Sequence, residues 1–300
     1  MKHVLFLAFF LLSLALPPCF AQDKGIDIFD IPLYEKKNIS TKETHTNDST
    51  FGLLVRDVTN PVLKAFIPQK STNKTAVIIC PGGGYHTLLF EREGTKVAEA
   101  FNKHNIAAFV LKYRLPGKSN SFAPLQDAQR AIQIIRENAE KWDIDKDKIG
   151  IMGFSAGGHL AASLGVHHDS VLVENKTNTT LRPDFMILVN PVISFTDSFG
   201  HIGSRDNLLG QNPDENLVKF FSNELHITDD TPKTILLHTD DDQVVTVKNS
   251  LYFYNELHRH KVPAELHIYS RGDHGFIQIP EFEEWFEQCI RWMKIEKIYN

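Results

Sequence analysis

The sequence predicts an α/β fold, with one mostly parallel twisted sheet and helices on both of its faces. The prediction rests on the alternation of two apolar patterns and on the length and composition of the chain. Short apolar runs rich in β-branched residues alternate with longer segments whose apolar residues recur every three or four positions. Such an alternation of strands and helices is typical of a parallel sheet with both faces covered. The 300 residues, 42% of them hydrophobic and 23% charged, fit one globular domain of this class, and the chain has no internal repeats.

The first 50 residues differ in composition from the rest. Residues 1–21 combine a lysine, an apolar run and a small residue before Gln22, a pattern that predicts a secretory signal peptide. The protein is therefore expected to be secreted or periplasmic, with a lipid anchor at Cys19 as a weaker alternative. Residues 22–50 form a polar N-terminal segment of doubtful order, and residues 51–300 are assigned to a single domain. No later segment reaches ~18 consecutive apolar residues, so no membrane span is expected.

The predicted elements begin with two strands, a helix, a third strand and a second helix. The three strands are the apolar runs "VLKAFIP", "TAVIIC" and "IAAFVLKY", at 62–68, 75–80 and 106–113. In the first helix, at 94–104, Val97 and Phe101 lie on one apolar stripe. The second helix, at 123–142, keeps apolar residues at spacings of three and four throughout and is strongly amphipathic.

The alternation then continues to the end of the chain, with one interruption. Strands are predicted at 148–154, 184–191, 233–239 and 264–270, and helices at 156–167, 244–260 and 280–296. Residues 193–230 break the pattern. We expect them to form a short insertion at the top of the sheet, as a partial lid or one wall of a substrate cleft.

Charge and cysteine content narrow the classes of partner. The formal net charge is −5 and basic residues form no cluster, so nucleic acid is not expected as a partner. Neither the dinucleotide-binding glycine pattern nor a phosphate-binding P-loop is present in the sequence. Cys80 and Cys289 remain after the signal segment and are predicted to be two separate buried thiols, although a disulfide between them is the alternative.

The stretch "IGIMGFSAGGHLAA" places Ser155 between a predicted strand and a predicted helix. Ligands gather at the carboxyl ends of parallel strands, which is where this serine lies. Gly153 and Gly157 carry no Cβ, so the chain can turn sharply there and expose the serine hydroxyl. The helix that begins at Ala156 directs its free N–H groups to the same place. The pattern therefore predicts a nucleophilic serine on a nucleophile elbow.

The stretch "VIICPGGGYH" ends an earlier strand with three successive glycines, residues 82–84. Glycines let the backbone pass close to a bound carbonyl group and direct N–H groups at it. Together with the N–H of Ala156, this loop is predicted to form an oxyanion hole. A plain glycine turn is the alternative.

A serine nucleophile needs a histidine base oriented by a carboxylate, and in this fold the order along the chain is serine, acid, histidine. His274 follows the last predicted strand in a loop with neighbouring glycines and is the candidate base. "TDDDQ" ends the preceding strand and offers Asp240, Asp241 and Asp242 as acids, with a solvated turn or a cation site as alternatives. The other candidate histidines are expected to be structural or solvated; they are His159, His238, His258 and His260.

The motifs "APLQDAQRAIQIIREN", "KIGIMGFSAGGHLAA" and "ILLHTDDDQVVTVKNSLYFYNEL", with "VPAELHIYSRGDHGF", resemble the α/β-hydrolase esterases of plant-cell-wall degradation. This group includes acetylxylan esterases and bifunctional acetyl/feruloyl esterases of xylan-degrading bacteria, and the resemblance covers roughly residues 60 to 295. The family acid lies in an Asp-x-x-Val-Pro stretch, which falls on Asp242 with Thr246 in place of the proline, so Asp241 remains the alternative.

The resemblance implies an activity as well as a fold. Ser155, Asp242 and His274 would remove acetyl groups from O-acetylated oligo- or polysaccharides through an acetyl-enzyme. The oxyanion would be held by Gly83 and Ala156, with Gly84 as a further donor. No metal and no cofactor are implied. A feruloyl esterase, a serine peptidase of the same fold and a non-catalytic binding protein are the alternatives.

The substrate cleft is less well determined by the sequence. Four aromatic residues are candidates to line a cleft for a feruloyl group, although core or rim packing is the commoner role for such residues; they are Tyr85, Phe122, Phe195 and Phe199. Arg92 and Glu93 follow the glycine loop and are expected to face solvent, with sugar binding as the alternative. The sequence determines neither the acetylated glycan nor the oligomeric state.

Overall fold

The computed structural model describes residues 25–35, 43–69, 73–116, 120–196, 199–276 and 279–299. The predicted signal segment, residues 1–21, lies outside these ranges. Within them, none of the helices combines the length and the apolar character needed to cross a membrane.

The described residues form strands and helices whose bounds agree closely with the predicted alternation beyond residue 60. The strands are β1 (Ile26–Pro32), β2 (Thr44–Asp48), β3 (Gly52–Arg56), β4 (Val62–Pro68), β5 (Ala76–Cys80), β6 (Leu88–Leu89), β7 (Ala107–Lys112), β8 (Ile149–Phe154), β9 (Phe185–Val189), β10 (Lys233–Thr239) and β11 (Ala264–Tyr269). The α-helices are α1 (Lys96–Lys103), α2 (Ala123–Glu137), α3 (Ser155–Val166), α4 (Ile202–Leu209), α5 (Glu215–Phe220), α6 (Lys248–Arg259) and α7 (Phe282–Ile295). A π-helical turn spans Glu91–Thr95, and single 3₁₀ turns span Glu140–Trp142 and Asn223–Leu225.

One large sheet carries the fold, with the strand order β1-β4-β7-β5-β8-β9-β10-β11. The pairs from β7 through β11 are parallel, whereas β4 pairs antiparallel with β7 and β1 pairs antiparallel with β4. The sheet is therefore mostly parallel, as predicted. Its parallel strands end at one edge, where the loops after β5, β8, β10 and β11 meet.

The central strands are covered by helices, which explains their uninterrupted apolar sequences. Every residue of β5, β8 and β9 is buried. The helices form two groups: α1 meets α7 through the rings of Phe101 and Phe286, whose centroids are 4.9 Å apart, and α2 packs on α3. The core lies between these helices and the sheet.

The N-terminal segment differs from the prediction. Residues 22–50 were expected to be of doubtful order, and the domain was expected to begin at residue 51, yet β1 is the edge strand of the main sheet. β2 joins β3 and β6 in a separate three-stranded sheet. Because β1 and β2 are edge strands with mostly exposed side chains, they carry little of the apolar periodicity from which a strand is predicted.

Arg136, near the end of α2, connects this helix to the edge of the sheet where the parallel strands begin, opposite the edge where they end. Its guanidinium group donates hydrogen bonds to the carbonyl oxygens of Lys146, Thr180 and Arg182 at 2.7–2.9 Å. It also donates to Asp184 Oδ2 at 2.7 Å, and the same oxygen accepts the N–H of Ile149, the first residue of β8, at 2.8 Å. The Arg136 side chain is 5% exposed, so its guanidinium group needs these acceptors in place of water.

Arg136→Met is expected to lower the free energy of unfolding by about 3 kcal/mol, because three carbonyl groups and the Asp184 carboxylate each lose a hydrogen bond from a buried guanidinium group. Urea denaturation measures the change. The matched control is Arg182→Met, which removes a partly exposed pair with Asp230 and should cost about 1 kcal/mol or less. Equal losses in the two variants would contradict the role assigned to Arg136.

Candidate active site

Ser155 lies at the junction between β8 and α3, on the sharp turn that the sequence predicts. Phe154 is still extended (φ −112°, ψ 134°), whereas Ser155 has a φ of 51°, in the left-handed region that residues with a Cβ seldom occupy. Its side chain is held at the carboxyl end of β8, at the start of α3, and the residue is 9% exposed. This strained backbone presents the hydroxyl above the sheet.

Gly157 explains how the turn can be so tight. A Cβ at this position would collide with the carbonyl oxygens of Cys80 and Pro81, at the end of β5. The first turn of α3 therefore packs directly on the chain that leads into the glycine loop. Only glycine allows this approach, and the approach brings the two loops of the predicted site together.

His274 forms hydrogen bonds on both sides of its ring. Its Nδ1 is 2.7 Å from Asp242 Oδ2, and its Nε2 is 2.9 Å from Ser155 Oγ. Because an ionised carboxylate only accepts, Nδ1 carries the proton, and Nε2 is left to accept the hydroxyl proton of Ser155. The structure thus brings together three residues that are far apart in the sequence, in the arrangement of a base between a nucleophile and an orienting acid.

Asp242, and not Asp240 or Asp241, contacts the imidazole ring. Its Oδ1 accepts the N–H groups of Val244 and Val245 at 2.9 and 2.8 Å. Burial alone would raise the pKa of Asp242, but hydrogen bonds from His238 and His274 outweigh it and hold the pKa well below its usual range. The group is therefore an anion at neutral pH, as an orienting acid must be.

The two neighbouring aspartates have other positions. Asp241 Oδ1 accepts the N–H of Asp273 at 2.9 Å and so fixes the loop before His274. Asp240 is exposed. Among the described residues, no group of three or more His, Cys, Asp or Glu side chains is arranged to hold a metal ion.

The glycine loop lies beside the elbow. Gly83 has a φ of 125°, and a Cβ there would collide with the carbonyl oxygen of Thr87. The Gly83 carbonyl accepts the N–H groups of His86 and Thr87, both at 3.0 Å, so the loop turns back on itself. The Gly84 carbonyl accepts a hydrogen bond of 2.7 Å from Asn207 Nδ2, on α4. The predicted insertion 193–230, which contains α4 and α5, therefore contacts the glycine loop directly.

His159 is structural, as expected. Its Nε2 donates to the Phe221 carbonyl at 2.7 Å, and its Nδ1 accepts the Tyr85 hydroxyl at 2.8 Å. Its ring stacks on Phe195 with centroids 4.2 Å apart. Burial lowers the pKa of His159 to about 3, although the Phe221 carbonyl opposes the shift, so the ring is neutral at ordinary pH.

The structure contradicts the expected exposure of Arg92 and Glu93, and it removes two of the four aromatic candidates for a feruloyl cleft. Arg92 and Glu93 were expected to face solvent, yet Glu93 is 5% exposed and the Arg92 side chain 20%. The reason is that the π-helical turn carrying them packs between the glycine loop and the chain around Gly275. Tyr85 and Phe195 are buried around His159, so the commoner role of core packing applies to them and they do not line an open cleft.

Two further residues at Asp242 were not recognised from the sequence. His238 Nε2 donates to the Val245 carbonyl at 2.8 Å and lies 3.3 Å from Asp242 Oδ2, and both side chains are fully buried. Asn190, which follows β9, donates to the same oxygen from its Nδ2 at 3.3 Å. A polar residue at the carboxyl end of a buried strand is the only signal that points to Asn190.

The Cys80 and Cys289 thiols are both buried and are not bonded to each other. The prediction of two separate thiols is therefore confirmed.

Comparisons with known proteins agree with this architecture. The BD-FAE family model matches residues 63–257. A solved structure, the acetyl ester-xyloside bifunctional hydrolase from Caldicellulosiruptor lactoaceticus, superposes with a TM-score of 0.78 and 38% sequence identity. The match covers 91% of this chain and 97% of that one. Together with solved α/β hydrolases that share the topology, it confirms the predicted α/β-hydrolase fold.

Two curated relatives are longer proteins. The endo-1,4-beta-xylanase B of Butyrivibrio fibrisolvens is 35% identical over 84% of this chain and 39% of its own length. The acetylxylan esterase of Xylanibacter ruminicola is 32% identical over 79% of this chain and 47% of its own length. The chain therefore spans less than half of each of these relatives.

The neutral state of His159 predicts a dependence of stability on pH. Unfolding restores an ordinary histidine pKa of about 6.5, so below that pH the unfolded chain binds a proton that the folded protein does not bind. Stability should fall as the pH drops from about 6.5 towards 3, and thermal unfolding between pH 7 and pH 5 measures this. His159→Gln should reduce the dependence of the melting temperature on pH, and His167, whose pKa burial lowers to about 4, should account for part of what remains. His258→Gln, on the exposed face of α6, should not reduce it. The same slope in both variants would contradict the assignment.

Proposed function

This chain belongs to the BD-FAE family, and from that premise we propose that it is a serine carboxylesterase that removes acetyl groups from O-acetylated sugars or plant polysaccharides. The hydrogen-bonded chain from Asp242 through His274 to Ser155 is the observation that supports this proposal most. A serine hydroxyl attacks an ester carbonyl only when a base removes its proton, and this arrangement supplies the base in the correct tautomer.

The proposed reaction has two steps through an acetyl-enzyme. In the first step, Ser155 Oγ bonds to the acetyl carbonyl carbon while His274 Nε2 takes the hydroxyl proton. His274 then donates this proton to the sugar oxygen as the ester bond breaks. In the second, His274 takes a proton from water, whose oxygen attacks the acetyl-enzyme. Acetate leaves, and the proton returns to Ser155.

The N–H groups of Gly83 and Ala156, with Gly84 as a further donor, are proposed to hold the oxyanion. Ala156 lies in the first turn of α3, where an N–H group has no carbonyl partner within the helix. One such donor typically contributes ~3–4 kcal/mol to lowering the barrier. The packing of Gly157 on the Cys80 and Pro81 carbonyls supports this assignment, because it holds the glycine loop beside the elbow.

The relatives' names provide the substrate class. One similar protein is named an acetylxylan esterase and another an acetyl ester-xyloside bifunctional hydrolase, and we propose acetyl esters of sugars as the substrate class of this chain. Feruloyl esters are the less favoured alternative, since Tyr85 and Phe195, two of the four aromatic candidates, are buried in the core. We also propose that residues 1–21 direct the protein to the periplasm or the exterior, where polysaccharides are found.

The purified protein is expected to release acetate from p-nitrophenyl acetate and from acetylated xylan, in the presence of EDTA. Ser155→Ala should abolish turnover because it removes the nucleophile, and circular dichroism should show the fold unchanged. Acetate release is measured by an enzyme-coupled assay on both substrates. Unchanged turnover in the Ser155→Ala variant would contradict the proposal. A parallel assay on feruloylated arabinose distinguishes acetyl esters from feruloyl esters as substrates.

Asp242→Asn should lower kcat by about 10⁴-fold, because the amide no longer holds the imidazole in the required tautomer. Asp241→Asn is the matched control, since its remaining amide oxygen can still accept the Asp273 N–H and its kcat should stay within about threefold of wild type. Steady-state kinetics on p-nitrophenyl acetate measure both. The reverse order of effects would assign the acid to Asp241.

A further inference from the structure

Glu93 is a buried carboxyl group near the proposed nucleophile, and the reaction scheme does not use it. Its Oε2 accepts the N–H of Gly82, the first residue of the glycine loop, at 2.8 Å. A Cβ placed on Gly82 would be 2.7 Å from this oxygen and 3.1 Å from the Cβ of Ser155. The carboxyl group therefore lies at the junction of the glycine loop and the elbow.

Arg92 connects the same place to the loop of His274. Its Nη2 donates to the carbonyl oxygens of Gly275 and Phe276 at 2.6 and 3.0 Å, and its Nη1 is 3.8 Å from Glu93 Oε1. The guanidinium group also lies over the ring of Phe51, 5.8 Å from the centroid. The two adjacent residues thus contact both loops on which the reaction depends.

The loop of His274 needs anchors on both sides because its backbone is strained. Asp273 and Phe276 have φ values of 54° and 51°, in the left-handed region. Before the histidine, Asp241 accepts the Asp273 N–H and Thr239 donates to the Asp273 carbonyl at 2.8 Å. After it, the Gly275 and Phe276 carbonyls accept hydrogen bonds from Arg92.

The Glu93 carboxyl group is buried as well as hydrogen-bonded. Burial raises the pKa of Glu93, although Arg92, the Gly82 N–H and His274 oppose the shift, so ionising this group in the folded protein costs free energy. The favourable charge interaction with His274 acts in both directions, so an ionised Glu93 would stabilise the His274 cation that forms in the proposed reaction. A costly charge beside the reacting groups is typical of a functional site.

We propose that Arg92 and Glu93 are a positioning pair, which holds the glycine loop, Ser155 and the His274 loop in register for catalysis. The inference rests on the proposed esterase function. Glu93 fixes the glycine loop through Gly82, and Arg92 fixes the carbonyl groups that follow the base. Neither residue is proposed to contact the substrate, so their loss should change kcat and leave KM nearly unchanged.

The kinetic test uses p-nitrophenyl acetate and five variants, four single and one double. Glu93→Ala should lower kcat by about 10²-fold with KM within threefold, because small displacements of reacting groups have effects of that size. Glu93→Gln keeps an acceptor for the Gly82 N–H but loses the charge, and should lower kcat by about tenfold. Arg92→Met should lower kcat by about tenfold, and Arg92→Lys should restore it to within about threefold. The Glu93→Ala/Arg92→Met double variant should lose little more than Glu93→Ala alone, since the pair acts as a unit.

The matched control is Asp184→Asn, at the opposite edge of the sheet. Asp184 is also a carboxylate that accepts a backbone N–H and an arginine donor, but it precedes β9 and contacts the first residue of β8, far from the reacting groups. Its variant should unfold at a lower temperature and keep its kcat within twofold. A folded Glu93→Gln variant with wild-type kcat, or a kcat loss of equal size in Asp184→Asn, would overturn the inference while wild-type turnover still supports the esterase function.

A second measurement does not depend on turnover. Amide hydrogen exchange of the peptide covering residues 270–276 should be faster in Arg92→Met than in wild type and unchanged in Asp184→Asn and Ser155→Ala. Unchanged exchange in Arg92→Met would overturn the anchoring role even in an inactive protein. Loss of the proposed function and loss of this inference are therefore distinguishable.

Discussion

The close packing of α3 on the end of β5 is the constraint on which the site depends. Gly157 meets the carbonyl oxygens of Cys80 and Pro81 without a Cβ between them, and this brings the glycine loop and the elbow into one surface. Ser155 accepts a left-handed backbone conformation in the same turn. The surrounding structure holds this strained conformation in place, because Ser155 follows β8, and β8 is paired with β5 in the middle of the sheet. Both strands are buried along their whole length.

Loops from distant parts of the chain complete this surface, and each is fixed by polar contacts. On one side, Asn207 of the insertion holds the Gly84 carbonyl, and His159 connects Tyr85 to the Phe221 carbonyl. On the other side, Asp242 receives donors from the backbone and from neighbouring side chains. Preorganised donors and acceptors of this kind need not reorganise when charge develops in a reaction, and this is the property that an ester hydrolase requires.

The comparisons place this architecture in a family whose members differ in size. The chain spans less than half of two curated relatives, whereas it matches almost the whole of a solved hydrolase at 38% identity. The α/β-hydrolase unit described here therefore accounts for almost the whole of that solved chain. Function on this fold is carried by the site, so the contacts of Ser155, His274 and Asp242 bear more weight for the proposal than the fold itself.

The sequence by itself determined the alternation of strands and helices beyond residue 60 and the location of the elbow, because apolar periodicity and glycine spacing are local properties of the chain. It also named Ser155, His274 and three aspartates as candidates. Only the tertiary structure selected Asp242 by geometry, since three adjacent aspartates differ in direction and not in chemistry. The tertiary structure also shows that Arg92 and Glu93, which were expected at the surface, contact the loops of the site. It shows as well that β1 is an edge strand of the main sheet. The positions of these residues depend on which distant segments of the chain pack against them, and the local sequence pattern does not predict that packing.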